Sequence, residues 1–334
     1  MIKQKEKSAR EIAVEEIRSH PELQTRTLAR RLVSIYPGFF ESIDSARDLV
    51  RRVRGAHGVK NIKYAVPELV REHGKAGETL RFPDAVRPID HSPYILSGGK
   101  IGIISDLHIP WHDQDAILCA LEYLEEKDVD HILINGDLID FYQCSRFTKN
   151  PLYPHTSEEI KRAGEFLVYL RGRFPDTEIT WKLGNHEERF EIYLMEKAPE
   201  FYEMFKNSLT DLLDLDELGI ALVKDGRVCK AGALNIVHGH ERRQGFAAPV
   251  NPARGIFLWA KESTLAGHSH QISEHSEPNL SRQQYSCWST GCLCDLQPDY
   301  DRFNKWSHGF AYVEVGERGS FKVKNHRIMN GEIY

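Results

Sequence analysis

The sequence lacks any run of about eighteen apolar residues, so no membrane-spanning helix is expected. Residues 1–10 are polar and lysine-rich without an apolar core, and they are not expected to act as a secretory signal. Cysteine is scarce, with six residues and no C-x-x-C pair, which indicates free thiols in a reducing cytoplasm. The spacing Cys292-x-Cys294 fits a metal-binding pair, although two buried strand cysteines are the preferred interpretation.

The signature motifs of three common enzyme classes are also missing. The sequence contains no G-x-S-x-G elbow, no P-loop and no dinucleotide-binding fingerprint. Serine hydrolase, NTPase and dehydrogenase activities therefore have no support. What the chain does have is the composition of a globular protein: 334 residues, 41% of them hydrophobic and 28% charged. This length suits one large domain with a small one, or two of medium size.

Charge is distributed unevenly along the chain. Residues 1–81 contain 17 Lys and Arg against 11 Asp and Glu, whereas residues 82–334 contain 27 against 38. A basic N-terminal part on an acidic body suggests two units with different roles. We predict a helical module over residues 1–72, a Gly- and Pro-rich linker or extended arm over residues 73–99, and a second domain over residues 100–334.

Three short helices are predicted in the N-terminal module, because apolar residues recur there at helical spacing between prolines. On the third helix, Arg47, Arg51 and Arg54 follow one another at i, i+4 and i+7 and would form one basic stripe. This arrangement resembles a helix-turn-helix, whose last helix contacts nucleic acid. The alternative is a solvated helix face on a small packing or oligomerisation module. The oligomeric state itself is not predicted.

Five apolar strands in the second domain each end in Asp, His or Asn. Taken singly, each ending has an ordinary explanation as a turn or as a satisfied core residue. Together they predict a ligand site at the carboxyl ends of the strands, where open α/β sheets bind ligands. The endings are Asp106-x-His108, Gly136-Asp137-x-x-Asp140, Gly184-Asn185-His186-Glu187, His238-Gly239-His240 and Gly267-His268-x-His270.

These motifs, in this order over residues 100 to about 275, resemble the five ordered motifs of the calcineurin-like metallophosphoesterases. The resemblance implies an α/β fold, a four-layer αββα sandwich with the site at the strand ends, here with a small all-α N-terminal domain. A narrower similarity, to phage and mobile-element members of the family, is carried by residues 106–112, 291–295 and 306–310. We therefore expect a cytoplasmic location in a bacterial or phage-infected host cell.

Two divalent metal ions are the implied cofactor. Two cations roughly 3.5–4 Å apart neutralise a phosphoester and hold its attacking and leaving oxygens in line. Asp137 is predicted to bridge them, since each carboxylate oxygen can take one ion. A bridging water would then become the hydroxide nucleophile. The oxygen and nitrogen ligands suit Mn²⁺, the expected metal, as well as Fe, Zn²⁺ or Ni²⁺. By similarity to the family, Asp106, His108 and His270 complete the first metal site, and Asn185, His238 and His268 complete the second.

The resemblance assigns His186 to transition-state stabilisation and to protonation of the leaving oxygen. A protonated imidazole beside a phosphate would do both. Asp140 and Glu187 are candidates to orient His186 or to tune its charge. Their alternative role is that of acids favoured at a helix N-terminus by the helix dipole. His240 and His112 are candidates to face the substrate.

The predicted function is hydrolysis of phosphoester bonds, by a phosphodiesterase or nuclease acting on DNA or RNA that the basic module positions. Within the enzyme class, the alternative is a phosphomonoesterase acting on a small molecule or a protein. In a different class, the alternative is a non-catalytic nucleic-acid-binding regulator on the same scaffold. A degenerate scaffold usually loses ligands, whereas all seven ligand positions are filled here, which favours an enzyme.

Overall fold

The apolar stripes of the N-terminal module meet in a small core of their own. Ser8 and Ser42 begin the first and third helices with capping boxes, which satisfy backbone N–H groups at a helix start. Ile12, Leu28 and Val50 are among the residues buried where the three helices meet. The all-α N-terminal domain is thus confirmed. Its helices are α1 (Ala9–Ser19), α2 (Thr25–Ile35) and α3 (Ile43–Val53).

The chain divides into two units, Met1–Val86 and Arg87–Tyr334. The end of the predicted helical module and most of the predicted linker, residues 57–90, lie outside the described residues. No helix in the described part of the chain is long and apolar enough to cross a membrane. The computed structural model describes residues 7–21, 23–56, 91–205, 208–224, 226–242, 250–299, 301 and 303–334.

The strands of the second unit include one just before each of the five predicted strand-end motifs. In chain order the strands are β1 (Tyr94–Ile95), β2 (Lys100–Ile104), β3 (His131–Asn135), β4 (Glu178–Lys182), β5 (Ile220–Val223), β6 (Cys229–Ala231), β7 (Leu234–Val237), β8 (Thr264–Ala266), β9 (Ser273–Pro278), β10 (Gln284–Ser289), β11 (His308–Val315), β12 (Phe321–Met329) and β13 (Glu332–Ile333). Those that precede the motifs are β2, β3, β4, β7 and β8.

Two sheets are built from these strands. One has the order β13-β12-β11-β2-β3-β4-β5, and the other has the order β1-β6-β7-β8-β10-β9. In the first sheet β2, β3, β4 and β5 are parallel, and in the second β7 and β8 are parallel. The sheets pack face to face through apolar side chains such as Ile103, Leu133, Ile236 and Leu265. β1, within the predicted linker or arm, pairs with β6.

Helices cover the outer faces of both sheets. Ile117 and Leu167, on the fourth and fifth helices, are buried against the seven-stranded sheet, and Ile256 on the ninth is buried against the six-stranded one. The layers therefore follow the predicted order of helices, sheet, sheet and helix. The helices of this unit are α4 (Gln114–Glu126), α5 (Thr156–Arg173), α6 (Asn185–Lys197), α7 (Tyr202–Phe205), α8 (Ser208–Leu212) and α9 (Pro252–Ala260), with short 3-10 turns at Tyr142–Cys144, Pro199–Phe201 and Glu317–Gly319.

Candidate metal centre

The carboxyl ends of parallel strands from both sheets meet at one place. The seven-stranded sheet brings the loops after β2 and β3 and the start of α6 together, because these strands are neighbours. The six-stranded sheet supplies the loops after β7 and β8. This convergence places all seven predicted ligand residues around one centre: Asp106, His108, Asp137, Asn185, His238, His268 and His270.

Five of the seven residues have a left-handed backbone conformation. Their φ angles are 58° at Asp106, 49° at His108, 51° at Asp137, 63° at His268 and 54° at His270. Residues other than glycine rarely adopt this backbone conformation because it costs free energy, and the residues that do adopt it are concentrated at functional sites. The bends turn side chains at the strand ends toward a common point instead of letting them alternate between sheet faces.

Glycines in the same motifs permit close packing. Gly136 has a φ of 87°, and a Cβ added to it would meet the imidazole of His238. A Cβ at Gly267 would meet Ser105 and the carboxylate of Asp106. Both positions therefore require glycine because a side chain would occupy the space of a neighbouring site residue.

The predicted first set shows ligand-like spacing. His270 Nε2 lies 3.1 Å from Asp106 Oδ1 and 3.2 Å from His108 Nε2. Two ligand atoms roughly 2.1 Å from one ion, at angles of about 90–110°, lie roughly 3.0–3.4 Å apart. Two facing ring nitrogens can share only one hydrogen between them. The spacing and the chemistry of the donors therefore fit a shared cation.

The ligand atoms of the predicted second set are also spaced as if around one cation. His238 Nε2 lies 3.2 Å from Asn185 Oδ1 and 3.2 Å from Asp137 Oδ2. His238 Nδ1 lies 2.7 Å from the carbonyl oxygen of Asn135, which can only accept, so Nδ1 carries the hydrogen and the Nε2 lone pair faces the site. His268 Nδ1 is buried without a hydrogen-bond partner in the described chain. A metal ion would satisfy this atom.

Asp137 lies between the two sets. Its Oδ2 is 3.2 Å from His238 Nε2 and 3.7 Å from His108 Nε2. Its Oδ1 instead accepts a hydrogen bond of 2.9 Å from the backbone N–H of His186, at the start of α6. We expected each carboxylate oxygen of Asp137 to take one ion. In the structure a single oxygen faces both sets, because the helix N-terminus occupies the other.

Buried negative charge dominates the protonation of the centre. Burial favours the neutral form of His238, but the carboxylate of Asp137 prevails and raises the pKa of His238 to about 10. Burial also opposes the shift at His270, whose pKa the neighbouring Cys292 and Asp106 raise to about 9. Burial, with the charge of His238, lowers the pKa of His268 to about 4. A proton and a metal ion compete for the same lone pairs, so such a centre attracts cations.

His186 is held by Asp140. Its Nδ1 lies 2.9 Å from Asp140 Oδ1 and 2.8 Å from the backbone oxygen of Asp140. Its Nε2 lies 3.8 Å from Asp137 Oδ2 and 3.0 Å from Arg189 Nη2. Asp140 Oδ1 is also 3.2 Å from His108 Nδ1, so one carboxylate fixes both imidazole rings. Burial opposes a positive charge on His186, yet Asp137 and Asp140 raise its pKa.

Glu187 contacts backbone rather than the ring of His186. Its buried carboxylate accepts N–H groups from Asp137 at 3.0 Å, from Ile139 at 3.0 Å and from Gly184 at 2.7 Å. It thus caps the start of α6 and fixes the turn that carries Asp137. Burial and the charge of Asp137 raise the pKa of Glu187 to about 7.

The two remaining histidine candidates occupy different places. His240 lies beside the second set, with its ring centroid 5.3 Å from that of His238, and its Nε2 is 2.9 Å from Glu188 Oε1. His112 instead lines a second, open groove together with Asp113 and Asp295. The structure therefore brings His240 to the centre and leaves His112 out of it.

Several residues near the centre were missed by the sequence analysis. Glu241 accepts N–H groups from His238 and Gly239, and its Oε1 is 2.9 Å from the buried ammonium of Lys182. A lysine at the end of the predicted strand that became β4, just before the motif that begins at Gly184, was the available signal. Cys294 was missed as a neighbour of the first set, since its Sγ lies within 4.8 Å of ring nitrogens of His108 and His270.

The basic stripe on α3 is not uniform. Arg47 and Arg51 are exposed. Arg54 is half-buried and donates to Thr25 Oγ1 at 3.1 Å and to the carbonyl oxygen of Leu23 at 2.6 Å. Its guanidinium therefore joins α3 to the segment leading into α2, because the end of α3 faces that segment. Only the first two arginines present the exposed surface expected from helical spacing.

Comparisons with known proteins agree with this geometry. The family model described as calcineurin-like phosphoesterase matches residues 99–308. The Gene 54 protein of Mycobacterium phage L5 is 28% identical over 233 residues, covering 65% of this chain and 89% of that protein. The Gene 54 protein of Mycobacterium phage D29 is 28% identical over 183 residues, covering 52% and 69%. These relatives confirm the narrower similarity to phage proteins.

Among solved structures, the chain is similar to Vacuolar Protein Sorting 29 from Cryptosporidium parvum, with a TM-score of 0.36, 14% identity and coverage of 71% of this chain and 95% of that one. It is also similar to Yfce, a phosphoesterase from E. coli, with a TM-score of 0.30, 14% identity and coverage of 68% and 98%. The family match over residues 99–308 carries the assignment. The chain therefore belongs to the calcineurin-like phosphoesterase family and is a metallophosphoesterase.

Proposed function

We propose that this metallophosphoesterase is a phosphodiesterase of nucleic acid that works with two divalent ions, Mn²⁺ being the expected metal. The observation that carries the proposal is the position of Asp137 Oδ2 between two sets of buried histidines. When bound, the two ions would neutralise the phosphoester and lower the pKa of an attacking water. One ion would be held by Asp106, His108, Asp137 and His270, and the other by Asp137, Asn185, His238 and His268.

His186 would protonate the leaving oxygen. Asp140 fixes its Nδ1 side, so the ring cannot turn freely and Nε2 stays near Asp137. The guanidinium of Arg189, 3.0 Å from His186 Nε2, adds positive charge where phosphate oxygens would lie. The imidazole would thus be oriented before the substrate arrives. Its Nε2 accepts from Arg189 in this arrangement and would have to carry a proton to act as the donor.

Nucleic acid as the substrate class is supported by the charge asymmetry. The acidic second domain repels a long polyanion, so such a substrate needs the basic N-terminal module to hold it. Arg47 and Arg51 are exposed on α3 and are the proposed phosphate contacts. Arg54 is left out of this proposal, since it donates to Thr25 and Leu23.

The second candidate is a phosphomonoesterase acting on a small molecule. The excess of 38 Asp and Glu over 27 Lys and Arg in residues 82–334 favours it, because a small phosphoester meets less repulsion than a polyanion. The two candidates differ in whether the phosphorus carries one ester group or two. Turnover of bis(p-nitrophenyl) phosphate against p-nitrophenyl phosphate, with Mn²⁺ added, separates them.

The nucleic-acid proposal is tested by fluorescence anisotropy with a labelled DNA duplex at two salt concentrations. The double change Arg47→Glu and Arg51→Glu should weaken binding and flatten the log–log salt slope by up to about 1.8, since each phosphate contact contributes about 0.9. The exposed pair Arg282→Glu and Arg318→Glu alters the net charge equally and serves as the control. Equal binding by both double variants would remove the module from the proposal, and the monoesterase would then be favoured.

A further inference from the structure

A cavity of about 170 Å³ adjoins the predicted first metal position. Its inner wall includes His108, Asp140 and Cys294. An apolar cavity of about 150 Å³ holds benzene, so this space is of the size of one planar ring. The outer part of the wall carries four aromatic side chains, those of Trp111, Tyr142, Tyr153 and Trp306.

The aromatic rings are tilted rather than stacked on one another. The ring centroids of Trp111 and Tyr153 are 4.9 Å apart with an interplanar angle of 57°, and those of Tyr142 and Tyr153 are 5.0 Å apart at 53°. Trp306 meets His270 edge to face, with centroids 4.2 Å apart. Ring faces that are not paired with each other can accept a planar guest, as aromatic platforms do for nucleobases.

The charge of the wall restricts what can enter. Three carboxylates line the cavity, those of Asp140, Asp295 and Asp299, and the hydroxyl of Tyr153 donates to Asp299 Oδ2 at 2.5 Å. Among the described residues that line it there is no Lys or Arg. A second phosphate would be repelled here, whereas an uncharged ring with polar edges would meet hydrogen-bonding groups.

The cavity adjoins the residue that positions the proposed proton donor. Asp140 lines the cavity and holds His186 Nδ1 at 2.9 Å. We infer that this aromatic cavity binds the base of the leaving group. The leaving group would be a terminal nucleoside of a phosphodiester, with an uncharged, single-ring base. The inference rests on the proposed function and narrows its substrate to diesters that release a nucleoside.

The first test measures turnover of thymidylyl-thymidine and of bis(p-nitrophenyl) phosphate by Trp111→Ala in the metal-loaded full chain. Loss of one stacking surface should raise KM roughly 5- to 150-fold with kcat little changed, because the contact stabilises ground and transition states alike. Trp111→Phe should keep most of the binding. Trp259→Ala, which removes another exposed tryptophan, on α9, should match the wild type. An unchanged KM in Trp111→Ala would overturn the inference.

The second test does not depend on turnover. Thymidine should quench the intrinsic tryptophan fluorescence at concentrations where 2-deoxyribose does not, and Trp111→Ala should weaken thymidine binding while Trp259→Ala should not. If the wild type hydrolyses no diester yet shows this ring-selective binding, the proposed function fails while the cavity remains a ring-binding site. If thymidine and 2-deoxyribose behave alike, the inference is overturned whatever the turnover.

Discussion

Replacing His186 with alanine tests whether this residue donates a proton or binds a metal ion. Ligand atoms of His108, Asp137 and His186 lie within 4.8 Å of one another, so His186 could in principle bind an ion. Its Nε2 is 3.8 Å from Asp137 Oδ2, close to the 3.7 Å of the predicted ligand atom His108 Nε2, so distance does not separate the two. The guanidinium of Arg189 lies 3.0 Å from His186 Nε2, however, and its positive charge opposes a metal ion there. Asp140 holds its Nδ1. We therefore expect His186→Ala to keep both ions.

The expected size of the rate loss depends on the leaving group. General acid catalysis contributes about 10²–10⁴-fold, or about 2.7–5.5 kcal/mol. That full loss should appear with thymidylyl-thymidine, whose sugar alkoxide needs a proton to leave. It should be much smaller with bis(p-nitrophenyl) phosphate, because p-nitrophenolate leaves without one. The difference between the two losses measures proton donation directly.

The assay combines elemental analysis of the purified variant with initial rates on both esters at saturating Mn²⁺. His155→Ala is the matched control, since His155 is an exposed histidine before α5 whose side chain caps no N–H group. Loss of an ion in His186→Ala would make His186 a ligand. An equal loss of rate on both esters would refute its role as the proton donor.

Two further predictions concern stability. Glu187→Gln leaves three buried N–H groups with one side-chain acceptor oxygen instead of two, so it should lower the free energy of unfolding by about 1–3 kcal/mol. Calorimetry should show a Tm lower by roughly 2–12 °C, whereas the exposed Glu196→Gln on α6 should leave Tm unchanged. An unchanged Tm in Glu187→Gln would contradict the role of Glu187 in fixing the turn that carries Asp137. Burial and the charge of Asp140 raise the pKa of Glu159 from 4.5 to about 8, so the folded state binds the proton more tightly and stability should fall as pH rises through about 4.5–8, by up to about 1.4 kcal/mol per pH unit. Glu159→Gln should reduce this loss of stability. If the Tm of the wild type and that of Glu159→Gln fall equally between about pH 6 and pH 9, Glu159 is not the cause.

The ends of the strands could be predicted because the residue pattern along the chain is enough to show where a buried strand stops and a turn begins. An apolar run followed by Gly136-Asp137 marks a buried strand and a sharp turn without knowledge of the partner strands. Neighbouring parallel strands of one sheet deliver their carboxyl ends to the same edge, so residues distant in sequence, such as Asp137 and Asn185, were expected to meet. The four layers of the fold were implied by the resemblance to the calcineurin-like metallophosphoesterases, not by the local pattern.

What could not be predicted depends on tertiary contacts. Helical spacing puts Arg54 in line with Arg51, but the nearby sequence does not show that the guanidinium of Arg54 donates to the segment before α2. The pairing of Lys182 with Glu241 joins the end of β4 in one sheet to the turn after β7 in the other, which no spacing rule connects. His112 resembled a site residue because it follows Asp106 closely, yet its loop directs it to another groove.

We propose that Asp137 belongs to two metal sites at once. Elemental analysis of the Mn²⁺-loaded full chain tests it most directly, with Asp176→Asn as an exposed control. The wild type and the control should each retain two equivalents, and Asp137→Asn should lose both ions together, because its Oδ2 faces both histidine sets. Loss of a single ion, or retention of two full equivalents by Asp137→Asn, would contradict the account.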